Sequence, residues 1–437
     1  MTQARAPAWQ AGRVQGLKPR NAVAATEQRV ARPVADGECR CASTLTVVRL
    51  LVASWSGSGH LLPLLAAVNE MVERGHEVVL VTDSGIGGRA VSLTCGVEVL
   101  PSLQDLLPDL DRSGFKQSQN ARPVELRAAA ATDHFLHQAE ALAPLVVDVV
   151  KRFGPDVIYR DYAFHAGWLA GLLTGIPVAT FAFFPMSPSI NALRYADRYL
   201  QAMDTVGASG DLASLDQWLT VYGLPSSWFG SAALSDTSHL VQPVEAPGAD
   251  DGTAQALLAG LADRPTVYAT LGTEFNSTEM WDEVFEGVAS FDVNVIATLG
   301  VSVDSESIAA PANVRIASFV PQQHLLPHCQ AVIGHGGSGT LMGALRRGLP
   351  IVSIAAGAAD NVPNAIRLEF LGAGRAVLPP HGGAAGIAAA LHDVLADPAI
   401  CAAAGSVAAE IAALPRAQHA ATLIEQLGET RSPVLSG

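Results

Sequence analysis

From about residue 46, short apolar runs alternate with longer stretches patterned at helical spacing. TVVRLLVAS (46–54) predicts a buried strand, LPLLAAVNEMVERG (62–75) a helix ending at Arg74-Gly75, and EVVLVTD (77–83) the next strand. A basic residue and then glycine suit a helix end, where the last carbonyls favour positive charge and glycine accepts the left-handed turn. The rhythm continues in PDVIYRD (155–161), AFHAGWLAGLLTG (163–175) and IPVATFAFF (176–184). Apolar strands of this length separated by helices predict a parallel sheet covered on both faces.

Two stretches interrupt the rhythm. Residues 101–150 read largely as helices, and residues 187–245 as aromatic and Gly/Ser-rich loops; both are expected to shape a substrate pocket on the scaffold. The polar segment EAPGADDGTAQ (245–255) reads as a linker, after which the pattern restarts. PTVYATLGT (265–273), VNVIATLG (293–300), VRIASFV (314–320), AVIGHGGSG (331–339) and LPIVSIA (349–355) predict strands, with helices near 278–291, 339–348 and 384–398. Residues 402–428 form two alanine-rich helical segments broken at Pro415. The expected organisation is an unstructured extension (1–44), a Rossmann-like domain (45–245), a second (246–415), and a C-terminal helix (416–437) returning toward the first. The fold class is α/β, two doubly wound domains facing across a cleft, with ligands at the carboxyl ends of the strands.

Composition narrows the partners. Of 437 residues, 49% are hydrophobic and 16% charged, enough apolar content for sizeable cores. The net charge of −14 argues against a general nucleic-acid binder or an anionic-membrane binder, since both use basic faces. No apolar run approaches the ~20 residues of a membrane span, so no stable membrane insertion is expected. Residues 1–44 hold arginines but no apolar core segment, so no signal peptide is read there and a cytoplasmic location is the default. Five scattered cysteines give no disulfide framework. Cys39 with Cys41, His134 with His137 and His324 with His328 each lack further ligands, and Asp109-Leu110-Asp111 is too short a match to a metal-binding DxD; no metal is expected. The sequence assigns no oligomeric state.

Two glycine-rich turns carry the chemistry. In SGSGHLLPLL (56–65), Gly57-x-Gly59 follows a strand and opens a helix, and Asp83 ends the next strand, as in a dinucleotide-binding loop. The third glycine position is Leu62, however, and His60 stands where bare backbone would meet a pyrophosphate. The second turn, GHGGSGT (334–340), suits a diphosphate better. Glycines permit close backbone approach, the first helical N–H groups are unpaired, and Ser338 and Thr340 add hydroxyls. It lacks the lysine of a P-loop. Asp360, Asn361 and Asn364 follow the next strand, where a carboxylate and an amide can bind ligand hydroxyls.

This second segment resembles the donor-binding signature of GT-B, family-1 type glycosyltransferases, the group that decorates antibiotics and other lipophilic small molecules. His335 to Thr340, Ala344-Leu345, Gly348, Pro350, Asp360, Asn364-Ala365, Arg367 and Gly372 to Gly374 match. Upstream, Phe319-Val320-Pro321-Gln322, Leu325-Leu326-Pro327 and Leu271-Gly272-Thr273 resemble further family segments, as do Gly59-His60, Pro63-Leu64 and Arg74 to Val78 at the front. The resemblance covers about residues 46–428. It implies that His60 is the general base and Asp161 its orienting carboxylate. It implies that Thr273, His335, Gly337, Ser338, Gly339 and Thr340 hold the diphosphate, that Phe319, Val320 and Gln322 hold the nucleoside base, and that Asp360 and Asn361 hold sugar hydroxyls. The chain departs from the family pattern at Phe319 (usually Trp), Asn361 (usually Gln), Ala356 (usually Pro) and His324 (often acidic).

The expected activity is therefore an inverting, metal-independent transfer from a dTDP- or UDP-sugar, used as co-substrate with no cofactor, to a hydroxyl of a lipophilic acceptor. Three other readings are a glycosyltransferase-like protein that binds without transferring, a sugar-nucleotide epimerase of the same architecture, and an NAD(P)-dependent oxidoreductase.

Overall fold

The computed structural model describes residues 46–87, 93–109, 124–232, 234–244, 248, 252–272, 277–300, 303–304, 308–355, 360–378 and 382–436. The extension 1–44, Cys39, Cys41, Asp111, Thr273 and Ala356 lie outside them.

The first sheet contains β1 (Arg49–Ala53), β2 (Glu77–Thr82), β3 (Gly96–Val99), β4 (Val157–Asp161), β5 (Val178–Ala182), β6 (Leu219–Tyr222) and β7 (Ser238–Leu240), in the order β3-β2-β1-β4-β5-β6-β7. The second contains β8 (Thr266–Thr270), β9 (Asn294–Thr298), β10 (Val314–Ala317), β11 (Ala331–Gly334), β12 (Ile351–Ile354) and β13 (Gly374–Val377), in the order β10-β9-β8-β11-β12-β13. Among the described residues every pairing is parallel. Both orders reverse direction once, between β1 and β4 and between β8 and β11. At such a switch point the neighbouring connections leave on opposite faces and open a crevice. The turn holding His60 follows β1, and Asp161 closes β4, so both stand at the first crevice. Gly272 follows β8 and His335 follows β11, at the second.

The loops expected over 187–245 are corrected. Helices Pro188–Leu193 and Ala196–Val206 occupy the start of that segment, and β6 and β7 extend the first sheet beyond β5. Strands of four and three residues are too short to show a period in the sequence; their order comes from pairing with β5.

The helix Ser58–Glu73 buries Leu61, Leu64, Leu65, Val68 and Met71 against the first sheet. The last helix, His419–Thr430, places Ala421, Leu423, Ile424 and Leu427 in that same core. Glu425 fixes it there, accepting from Arg74 Nη1 at 2.6 Å and from His76 Nε2 at 2.6 Å. The Val48 amide donates to His76 Nδ1 at 3.1 Å, so the ring proton lies on the nitrogen facing Glu425. A separate apolar cluster joins the lobes, with Tyr162, Tyr222 and Trp228 on one side and Val320, Leu341, Met342 and Leu368 on the other. Among the described residues no single helix is long and apolar enough to cross a membrane.

Candidate active site

Gly57 precedes the helix Ser58–Glu73, and the His60 amide donates to the Gly57 carbonyl at 3.0 Å, which places His60 in the first helical turn. Its Nδ1 lies 3.0 Å from Asp161 Oδ1. A carboxylate only accepts, so Nδ1 carries the proton and Nε2 is left as the basic nitrogen. Asp161 is fully buried and held on both oxygens: Oδ1 also accepts from the Ala163 amide at 2.8 Å, and Oδ2 from the Trp55 amide at 3.2 Å. Burial by itself would lower the His60 pKa. The charge and hydrogen bond of Asp161, with the charges of Asp360 and Asp83, outweigh it and raise the pKa above the ordinary value of 6.5.

Asp83, the residue a dinucleotide reading would give to a ribose, is engaged elsewhere. Its Oδ1 accepts from the Ser56 amide at 2.6 Å and its Oδ2 from the Gly85 amide at 3.1 Å. It ties the first glycine turn to the end of β2.

Aromatic rings surround His60. Phe183 meets it edge-to-face at 5.4 Å between centroids, and Phe135 at 6.3 Å. Trp55 packs on Phe135 and Phe164, and Tyr162 on Phe183 and Phe184. Phe135 comes from the long helix Val124–Phe153. That helix also borders a hollow of about 430 Å³ lined by Thr132, Asp133, Leu193 and Arg198; no predicted site residue lines it.

On the second lobe, β11 ends at Gly334 and the helix Ser338–Leu345 begins after Gly337. Gly336 has φ +92°, and a Cβ there would lie 2.7 Å from the Asn361 carbonyl oxygen, so only glycine fits. The His335 ring fills a slot between Gly272 and Gly337; a Cβ on either would come within 2.8 Å of it. Burial lowers the His335 pKa to about 4, with only partial compensation from the Thr270 backbone, so the ring is neutral. Its Nδ1 has no partner among the described residues.

Asn364 is fully buried and organises this turn. Its Nδ2 donates to Gly336 O at 3.0 Å and to Ser338 Oγ at 3.2 Å, and its Oδ1 accepts from Trp228 Nε1 of the first lobe at 3.2 Å. Ser338 Oγ donates at 2.6 Å to the carbonyl of Phe183, also in the first lobe. Asp360 precedes the helix Asn361–Phe370, and its charge acts on His60 across the cleft. Burial raises the Asp360 pKa, its own backbone and His60 pulling the other way. Asn361 is buried.

The structure thus brings His60, Asp161, Asp360, Ser338 and His335 to one crevice. Gly339 and Thr340 stand in the first turn of the 338–345 helix, with Gly339 facing open space. Gln322 lies along that helix, donating to Gly339 O at 3.1 Å. Val320 is buried and Phe319 is 57% exposed. Thr273 lies outside the described residues. Sequence reasoning missed Trp55, in the turn just before His60, and Phe135 and Trp228; nothing local marks the last two, which reach the site from a distant helix and loop. Among the described residues no His/Cys/Asp/Glu group is arranged to hold a metal ion.

Residues 282–427 match the family described as Erythromycin biosynthesis protein CIII-like, C-terminal domain. Elloramycin glycosyltransferase ElmGT of Streptomyces olivaceus is 28% identical over 382 residues, covering 84% of this chain and 94% of its own. The chain is a glycosyltransferase with the two-domain GT-B fold, similar over residues 282–427 to that C-terminal domain family. Two solved structures share the fold of this glycosyltransferase. The calicheamicin glycosyltransferase CalG4 superposes with a TM-score of 0.70 at 20% identity, covering 88% of this chain and 99% of its own. The glycosyltransferase VinC, solved in complex with dTDP, gives a TM-score of 0.67 at 20% identity, covering 87% and 99%. The two parallel sheets of this glycosyltransferase thus have the fold of those structures.

Proposed function

We propose that this glycosyltransferase is inverting and metal-independent, moving a sugar from a dTDP- or UDP-sugar to a hydroxyl of a lipophilic natural-product acceptor. The observation that carries the reading is the His60–Asp161 pair facing Asp360 and the HGGSGT turn across one cleft. His60 Nε2 takes the proton of the acceptor hydroxyl, and the Nδ1 proton stays shared with Asp161. The acceptor oxygen forms a bond to the anomeric carbon. The bond from that carbon to the diphosphate oxygen breaks on the opposite face, and the nucleoside diphosphate leaves with the electron pair.

The leaving diphosphate gains charge, and the N–H groups opening the 338–345 helix, the Ser338 and Thr340 hydroxyls and the neutral His335 ring can stabilise it. Asp360 and Asn361 bind sugar hydroxyls, and Phe319, Val320 and Gln322 border the nucleoside base. The rings of Phe135, Phe183 and Trp55 form an apolar wall beside His60, which suits a lipophilic acceptor. The dTDP bound to VinC, a protein of the same fold, supports dTDP as the first donor nucleotide to try.

Isothermal calorimetry with dTDP, UDP, GDP and NAD tests the reading. dTDP or UDP is expected to bind most tightly, and a preference for NAD overturns it. Turnover that persists in excess EDTA, with an anomeric product of inverted configuration, tests the remaining two terms.

A further inference from the structure

We propose that Phe183 is a positioning residue that couples occupancy of the diphosphate turn to the packing of the His60 imidazole, an inference that rests on the donor reading above. One residue spans both lobes. Its carbonyl accepts from Ser338 Oγ at 2.6 Å, and its ring meets the His60 ring edge-to-face, with centroids 5.4 Å apart and planes at 84°. It lies just past β5, in the segment connecting β5 to the helix Pro188–Leu193.

A serine hydroxyl has one hydrogen, so Ser338 cannot donate to the Phe183 carbonyl and to a phosphate oxygen at once. The hydroxyl oxygen itself is fixed, because Asn364 Nδ2 donates to it at 3.2 Å and Asn364 is held in turn by Trp228. Rotation about the Cβ–Oγ bond is enough to switch the hydrogen from carbonyl to diphosphate. That switch releases the Phe183 carbonyl from the second lobe, and the Phe183 ring is then free to reset against His60. Donor binding thereby prepares the base, and the wall that receives the acceptor, without contact between diphosphate and imidazole. Asp161, Asp360 and Asp83 also act on His60, so the test must separate ring packing from charge.

The test uses full-length protein carrying ¹³C-labelled histidine, with the His60 resonance assigned by the His60→Gln variant. Spectra are recorded at about pH 9, above the imidazole range, so that His60 stays neutral. Saturating dTDP or UDP, whichever calorimetry shows to bind, is expected to move the wild-type His60 ¹³Cε1 resonance. Compared at nucleotide concentrations raised until each protein is saturated, Ser338→Ala and Phe183→Leu are each expected to at least halve that movement, and Ser338→Thr, which keeps the hydroxyl, to restore it. Movement as large as the wild type's in both Ser338→Ala and Phe183→Leu, or no movement in the wild type despite binding, overturns the coupling. Failure of the wild type to bind either nucleotide in the calorimeter overturns the donor reading, and this inference with it.

Discussion

His60 and Asp161 are 101 residues apart in sequence, and their side chains meet at 3.0 Å, with the imidazole 27% exposed and the carboxylate fully buried. The pair is assembled by the switch point between β1 and β4, where Ala53 pairs with Arg160 and the two strand ends stand side by side. One partner faces the cleft and the other is sealed behind it, the arrangement an oriented base requires.

Removing either partner should separate binding from transfer. His60→Ala is expected to keep nucleotide affinity and to lower kcat by about 10²–10⁴-fold, the usual contribution of a general base. Asp161→Asn should do more than lower the rate. Its amide would turn hydrogens toward the Trp55 or Ala163 N–H groups that the carboxylate now accepts from, at a cost of about 1–3 kcal/mol in stability. Thermal unfolding together with steady-state rates reads both; near-normal turnover by His60→Ala would rule out its assignment as base.

The pH profile follows from the sign of the His60 shift. The raised pKa keeps His60 protonated, and so inactive as a base, to a higher pH than a free imidazole. The acid limb of kcat/KM should therefore have its midpoint above about 6.5. Asp360 contributes to that rise, so Asp360→Asn should move the midpoint to lower pH as well as weakening sugar-nucleotide binding. An unmoved midpoint would show that Asp360 does not act on the base.

The second glycine turn separates two kinds of glycine. Gly336→Ala puts a Cβ against the Asn361 backbone at a residue with φ +92°, and should cost about 1–3 kcal/mol while displacing the segment that carries Asp360. Nucleotide-sugar affinity should fall at least tenfold. Gly339→Ala meets no protein atom and lies in a helix, so it should be neutral or stabilising by up to about 1 kcal/mol. Urea unfolding of the two variants checks the contrast.

That turn also shows what was legible in the sequence. His335 to Thr340 could be read because strand, glycine run and helix are contiguous, and the backbone demands glycine at Gly336 whatever surrounds it. The strand–helix alternation was legible for the same local reason, each long apolar run being its own signal. β3, with only GVEV, and β6 and β7 were not, because short strands are defined by the neighbour they pair with. Nor could the sequence show Trp228 reaching Asn364 across 136 residues, or Ser338 spanning 155 residues to Phe183. Those contacts exist only once the lobes meet, and they give Ser338 a partner that the motif alone does not suggest. Asp83 went the other way: its place at a strand end suggested a ribose, and its carboxylate is engaged by the turn above it.

His335 should set part of the enzyme's acid sensitivity. Its folded pKa, about 4, lies below the unfolded value near 6.5, so the unfolded chain binds the extra proton between those limits. Stability contributed by the neutral ring is complete above about pH 6.5 and is lost as the pH falls toward about 4. With allowance for a partly exposed ring the amount is about 2 kcal/mol. His60 runs the opposite way, since a raised pKa favours the folded state at low pH, and it is unchanged between the proteins compared. His335→Gln fills the slot between Gly272 and Gly337 with a side chain that does not titrate. Its unfolding free energy should therefore fall less steeply than that of the wild type from pH 6.5 to about 4, while the two curves run parallel above pH 7. Parallel curves throughout would show that the ring is already protonated or solvated in the folded enzyme, and would remove neutral His335 from the set of donors to the diphosphate.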